Sequence, residues 1–187
     1  MPTANTRTHI IETASELFYR NGYNRTGINE IIAEAGIAKA TLYSHFRSKQ
    51  EICLAYLERK HNTLSHDIAE FCAARPKGIE QALAVFDYLH EFFSGRDFNG
   101  CWCLKTIAEI PKDEETIRNE IQRQKQELLS FMQELVANNL PGRSEEQQAI
   151  VGRQLYLLYE SAVAESHLHQ EAWPIDSARE MAAHLLA

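Results

Sequence analysis

The chain has 187 residues and a net charge of −7, from 19 Lys/Arg against 26 Asp/Glu, which is room for a compact body and a small appended domain. No apolar run is long enough to span a bilayer and no signal-peptide core opens MPTANTRTHIIETASELF, so a cytoplasmic protein is expected. Its four cysteines, Cys53, Cys72, Cys101 and Cys103, are then expected to be thiols, and no pair has CxxC spacing. The charge is uneven. Residues 1–60 hold eight Lys/Arg and six Asp/Glu, a balance of +2, whereas 61–187 hold eleven and twenty, a balance of −9. The acidity that argues against a nucleic-acid partner therefore lies outside the N-terminal third.

Residues 1–5 are expected to fray. A first helix is predicted over 6–21, where Ile10, Ile11, Ala14, Leu17 and Phe18 form one apolar stripe and Gly22 ends it. Thr26 is placed as the N-cap of a second helix, with Glu30 able to reach back. Ile28, Ile31, Ile32 and Ala35 give that helix its buried side, and Gly36 supplies the turn after it. A third helix over 39–46 turns Leu42 and Phe46 inward. Its other side shows Lys39, Thr41, Tyr43, Ser44 and His45, the groups that bond phosphates and base edges. Two short helices about a tight turn, the second so dressed, read as a helix-turn-helix. Thr26, Tyr43 and Lys49 are the candidates for phosphate contact. Lys39, Thr41 and Ser44 are the candidates for base edges, and His45 suits either.

A fourth helix is predicted over 49–73, ahead of Pro76, with Ile52, Leu54, Tyr56, Leu57, Leu64, Ile68, Phe71 and Cys72. No Gly/Ser or Pro-rich linker interrupts it, so it reads as a lever between two domains, 1–48 and 49–187. A fifth helix from 76 or 77 to 93 turns Leu83, Phe86, Leu89, His90 and Phe93 inward, and 94–100 is a loop. Short helix 101–110 stops at Pro111. Helix 113–139 carries Ile117, Ile121, Leu128, Phe131, Met132 and Leu135, and Pro141-Gly142 closes it. Helix 144–170 carries Ile150, Val151, Leu155, Leu158, Tyr159 and Ala162, and a last helix after Pro174 carries Ala178, Met181, Leu185 and Leu186. No strand pattern and no repeat appears. The expected fold is all-α, about nine helices: a three-helix reading head, a lever helix and a helical-bundle body.

Aromatic residues gather in the body: Tyr56, Phe71, Phe86, Phe93, Trp102, Phe131, Tyr156 and Tyr159. They suit a pocket for an apolar or aromatic small molecule, or an ordinary bundle core; apolar spacing does not separate the two. Cys101 stands at a helix N-terminus with Lys105 one turn on, a setting that favours thiolate, although small soft cysteines also simply fill space. His167 and His169 are two apart and His61 and His66 five apart, spacings that do not share a helix face, so no metal is expected. Asp113, Glu114 and Glu115 read as a helix cap. With no nucleophile elbow, glycine-rich phosphate loop or HExxH, neither an enzyme nor a cofactor is expected.

The N-terminal third resembles the DNA-binding region of the tetracycline-repressor (TetR) family of bacterial regulators. The resemblance is carried by Ile10, Ala14, Leu17, Phe18, Gly22, Tyr23 and Thr26, then by Ile31, Ala33, Ala35, Gly36, Thr41, Leu42, Tyr43, Phe46, Lys49 and Leu54. It implies a ligand-responsive homodimeric repressor on a palindromic double-stranded operator, with half-sites about 34–36 Å apart or a multiple. It implies an effector site in the body, here placed at Phe86, Phe93, Cys101, Trp102, Tyr156 and Tyr159. It also implies pairing of the last two helices between subunits, here through Val151, Leu155, Leu158, Ala162, Met181 and Leu185. The segment Gly100-Cys101-Trp102-Cys103-Leu104, with Glu109 after it, resembles one branch in which some members sense electrophiles or oxidants. A thiol-sensing regulator acting through Cys101 is therefore one alternative. A small-molecule-binding bundle without DNA binding is another.

Overall fold

The computed structural model describes residues 4–95 and 98–187. Residues 1–3 of the stretch expected to fray, and 96–97 of the expected loop, lie outside the described residues. Among the described residues the chain is all-α: α1 (Ala4–Asn21), α2 (Ile28–Glu34), α3 (Lys39–His45), α4 (Lys49–Ala73), α5 (Ile79–Ser94), α6 (Trp102–Glu109), α7 (Glu115–Asn139), α8 (Glu145–His169) and α9 (Trp173–Leu186). None of these helices is long and apolar enough to cross a membrane. The chain makes two compact units. One comprises 1–62 and 102–122, the other 63–101 and 123–187, so α4 and α7 contribute residues to both.

The first unit holds α1, α2, α3, the start of α4, α6 and the start of α7. Its core is the apolar stripe of α1 against the inward faces of its neighbours: Ile10, Ala14, Leu17, Phe18, Ile31, Leu42, Phe46, Ile52, Tyr56 and Leu57 are all buried. The Phe18 ring lies between Tyr23 and Tyr56, with centroids 5.7 and 5.6 Å away. Gly22 ends α1 with φ +93°, and its N–H donates to the Phe18 carbonyl at 3.0 Å. Gly36 ends the α2 segment with φ +63°.

The starts of α2 and α7 differ from the sequence expectation. The N-cap of α2 is Gly27, whose N–H donates to the Glu30 carboxylate at 3.3 Å. Thr26 is one residue too early and is fully buried. At α7 the cap is Glu114, whose carboxylate accepts from the Thr116 and Ile117 N–H groups at 3.2 and 3.4 Å, so the helix begins two residues after Asp113. At α4 the Ser48 hydroxyl accepts from Glu51 N–H at 3.2 Å, and the Glu51 carboxylate accepts from Arg47 N–H at 2.6 Å.

The second unit packs α5, α8 and α9 with the remainders of α4 and α7. Its core runs through Ile68, Leu83, Phe86, Leu89, Met132, Val136, Leu155, Tyr159, Ala162, Ile175, Ala182 and Leu186. Gly152 sets the crossing of α7 and α8: a Cβ there would lie 2.7 Å from the Gln133 Cα. The α8 start is a reciprocal cap, Ser144 hydroxyl with Gln147 N–H and Gln147 amide oxygen with Ser144 N–H. α5 begins at Ile79 instead of 76 or 77, because Gly78 takes φ +107° and donates its N–H to the buried Asn139 side chain at 2.7 Å. His90, expected inward, is exposed and faces Asp176 at 3.7 Å. The ring is polar and the α5 stripe is filled without it by Phe86 and Leu89.

Candidate nucleic-acid interface

α3 is seated by Leu42 and Phe46, both buried, and closed by Phe46 N–H on the Leu42 carbonyl at 2.9 Å. The seating leaves Lys39, Tyr43 and Ser44 exposed, with Thr41 and His45 half-buried between the two faces. The Lys39 ammonium lies 6.0 Å from the Tyr43 ring centroid. The Ser44 hydroxyl donates back to the Thr41 carbonyl at 2.7 Å, which leaves its lone pairs outward as acceptors. His45 Nε2 is buried without a partner. The structure therefore brings Lys39, Thr41, Tyr43, Ser44 and His45 onto one short helix with one solvent-facing side.

Lys49 is half-buried at the start of α4. Its ammonium stands 4.3 Å over the Tyr23 ring and 3.5 Å from the Asn24 carbonyl. Burial pulls its pKa down, opposed by Cys53 and Glu109 nearby. Thr26 is a correction. Its hydroxyl is 2.8 Å from the Gly22 carbonyl and 3.2 Å from the Leu17 carbonyl, so it locks the end of α1 and does not face outward. Sequence reasoning also passed over Arg25 and Arg47, both exposed cations of this unit flanking the two short helices. The signal was present as charge beside the motif, but neither residue lies on the recognition helix.

In the second unit the surroundings of Cys101 differ from expectation. Cys101 precedes α6 and is half-buried. The cation beside it is Lys125 of α7, whose ammonium is 3.2 Å from the sulfur and 2.6 Å from both Glu160 oxygens. Lys125 and Glu160 side chains keep only 20% and 16% exposure. Lys105, the cation expected there, instead donates to the Tyr19 carbonyl at 2.8 Å in the first unit. Cys101 lies just before α6 begins, so helical i, i+4 spacing does not hold for this pair, and tertiary packing brings α7 near instead.

Of the residues expected around an effector, Phe86 and Tyr159 are buried against each other with centroids 6.3 Å apart, and burial drives the Tyr159 hydroxyl pKa strongly upward. Phe93 and Tyr156 are half-buried, and Phe93 meets Phe98 edge-on at 5.1 Å. Trp102 belongs to the first unit. The six are therefore not one cluster within either unit. The dimer residues also need correction. Val151, Leu155 and Ala162 are core of their own unit, and Leu158 and Leu185 are half-buried. Met181 alone of that set is exposed. The outward apolar side chains are Ile150, Leu157 and Leu168 on α8 with Trp173 and Met181 on α9; Leu157 and Leu168 are 63% and 71% exposed. Among the described residues no group of three or more His, Cys, Asp or Glu side chains is placed to hold a metal.

Residues 10–56 match the profile of bacterial regulatory proteins of the tetR family. The HTH-type transcriptional repressor NemR of Escherichia coli is 22% identical over 135 residues, spanning 71% of this chain and 68% of that protein. The HTH-type transcriptional activator FasR of Mycolicibacterium smegmatis is 41% identical over 92 residues, 49% of this chain and 42% of that one. Among solved structures, SCO4454, a TetR-family transcriptional regulator from Streptomyces coelicolor, superposes with a TM-score of 0.88 at 25% identity, covering 99% of this chain and 96% of that one. The reduced form of E. coli NemR does so with a TM-score of 0.84 at 23% identity, covering 97% and 98%. The matched profile falls on α1 to α4, where the geometry presents α3, and the whole-chain superposition extends through α9; residues 10–56 are thus a DNA-binding region of the tetR family of bacterial regulatory proteins, in a chain that shares the fold of TetR-family transcriptional regulators.

Proposed function

We propose that this protein is a ligand-responsive repressor that reads a palindromic operator as a homodimer, acting in the cytoplasm. The carrying observation is α3, seated by Leu42 and Phe46 and presenting Lys39, Tyr43 and Ser44 to solvent. In this reading Lys39, Thr41 and Ser44 meet base edges, Tyr43 and Lys49 meet phosphates, and His45 serves either. Arg25 and Arg47 add phosphate contacts, and the Thr26 hydroxyl is left out because it is spent inside. Residues 1–48 are the reading head and 49–187 the ligand-binding and dimerising body, with α4 as the lever between them.

Pairing through the outward stripe of α8 and α9 supports the two-fold that a palindrome needs. The half-buried rings of Phe93 and Tyr156 support an apolar or aromatic effector. Such an effector shifts DNA affinity only by its differential affinity for two states of the body. The names of NemR and ComR, repressors in E. coli, support repression as the sign.

The test is selection of duplexes bound by the purified protein from a random pool. Enrichment of an inverted repeat is the expected result. Enrichment of a single unrepeated half-site removes the dimer, and no enrichment at low salt removes the operator reading.

One observation favours a second mode of control. The Lys125 ammonium at 3.2 Å from Cys101 is a donor and counter-charge for a thiolate, held in place by Glu160. A regulator switched by modification of Cys101 is that second reading, and maleimide labelling of the thiols discriminates it.

A further inference from the structure

α6 belongs to the same compact unit as the reading head, although more than fifty residues separate it in sequence from α3. Two of its side chains, one helical turn apart, hold the end of α1 from opposite electrical sides. Lys105 donates to the carbonyl of Tyr19, in the last turn of α1, at 2.8 Å. A cation there also suits the negative end of the helix. Glu109 takes the other side. Its carboxylate accepts from Asn24 N–H at 2.6 Å, and its backbone carbonyl accepts from the Asn24 amide at 2.7 Å.

The turn is shaped to admit that carboxylate. Gly22 has φ +93°, and a Cβ on it would fall on the Glu109 carboxylate, which fills the space a side chain would need. Asn24 also lies at the hub of the head: its carbonyl is 3.5 Å from the Lys49 ammonium. Four residues after Asn24, α2 begins, and α2 leads through Gly36 directly into α3.

We propose that Lys105 and Glu109 form a clamp by which α6 positions the α1–α2 turn, and through it the recognition helix, for DNA. Neither residue touches DNA; both are positioning residues. The inference rests on the reading of α3 as the DNA-contacting helix. With the clamp made, the turn is ordered before DNA arrives, so binding does not have to order it.

The test uses Glu109→Ala in the full-length protein, against the duplex enriched by the wild type. Three quantities are read: operator affinity, the salt slope of binding, and amide hydrogen exchange. Affinity is expected to fall roughly fivefold or more. The salt slope is expected to stay, since no phosphate contact is removed. The Asn24 amide is expected to lose protection while Ile31 and Leu42 in the head keep theirs, which general loosening of the fold would not produce. Glu109→Gln keeps the shape and one acceptor oxygen, and is expected to fall between wild type and alanine; it carries the comparison if the alanine variant does not unfold cooperatively. Unchanged Asn24 protection removes the clamp. Lost protection with unchanged affinity removes its positioning role. Failure of the wild type to bind any duplex would instead count against the DNA reading, and is distinguished from both.

Discussion

Cys101 and Cys53 show what burial and charge do to the same side chain. Cys53 is buried in the first unit, and desolvation pushes its thiol up from 9.0 to about 12, with Lys49 pulling the other way. Cys72 is pushed to about 12 as well, again chiefly by burial. At neutral pH a thiol pushed up in this way holds far less thiolate, and thiolate is the nucleophile. Cys101 is half-buried and has an ammonium at 3.2 Å. Maleimide at pH 7.5 is therefore expected to label Cys101 well ahead of Cys53 and Cys72, resolved by peptide mass spectrometry over time. Lys125→Met is expected to slow Cys101 and leave the other two unchanged. A Cys101 no faster than Cys53 would sink the thiol-control reading. The sequence showed the cysteine and a cation four residues away, yet the partner is on α7, twenty-four residues on. Helical spacing locates neighbours on one helix; it is silent about which other helix arrives.

At the scale of elements, α8 shows where periodicity misleads. Its apolar residues include two sets, one at Val151, Leu155, Tyr159 and Ala162 and another at Ile150, Leu157 and Leu168. The first set, of which Val151, Leu155 and Ala162 were expected in the subunit seam and Tyr159 at the effector, is the core of its own unit. A helix apolar on two sides buries the better-packed stripe in its own body, and the leftover stripe is the one available to a partner. Leu157 at 63% exposure is its most central member. Leu157→Glu places a charge in the middle of that face while leaving the core untouched. Sedimentation equilibrium at micromolar concentration is expected to show a dimer for wild type and a monomer for the variant, with thermal unfolding of the monomer body little altered. A dimeric Leu157→Glu protein would move the interface elsewhere. Caps were legible in kind and off by a residue in place: Glu30 does reach back, but to Gly27. Side-chain chemistry announces a helix start, whereas backbone dihedrals settle its first residue.

At the scale of the whole molecule, the nine helices of the described residues and the helix-turn-helix could be read from sequence because each rests on local rules. Apolar spacing, glycine at φ +93° and +63°, and proline after helix ends all act within a few residues. What stayed hidden was tertiary: that 102–122 joins the reading head, and that the six residues proposed around an effector do not fall in one unit. The charge distribution bears on both scales. The protein carries −7 overall, yet Arg25, Lys39, Arg47 and Lys49 lie on or beside α2 and α3. If the three of these read as phosphate contacts, Arg25, Arg47 and Lys49, each displace one counterion, a dimer releases about six, and log affinity is expected to fall against log salt with a slope of about −5. One subunit bound alone would give a slope of about −3. Lys49→Ala removes one contact per subunit and is expected to flatten the dimer slope by about two units, equally on operator and on unrelated duplex, because phosphates carry no sequence. Titration of a labelled duplex at several salt concentrations separates these outcomes. A Lys49→Ala variant that changes preference between sequences, with the slope unmoved, would place Lys49 on a base edge and return Tyr43 and the two arginines as the phosphate contacts.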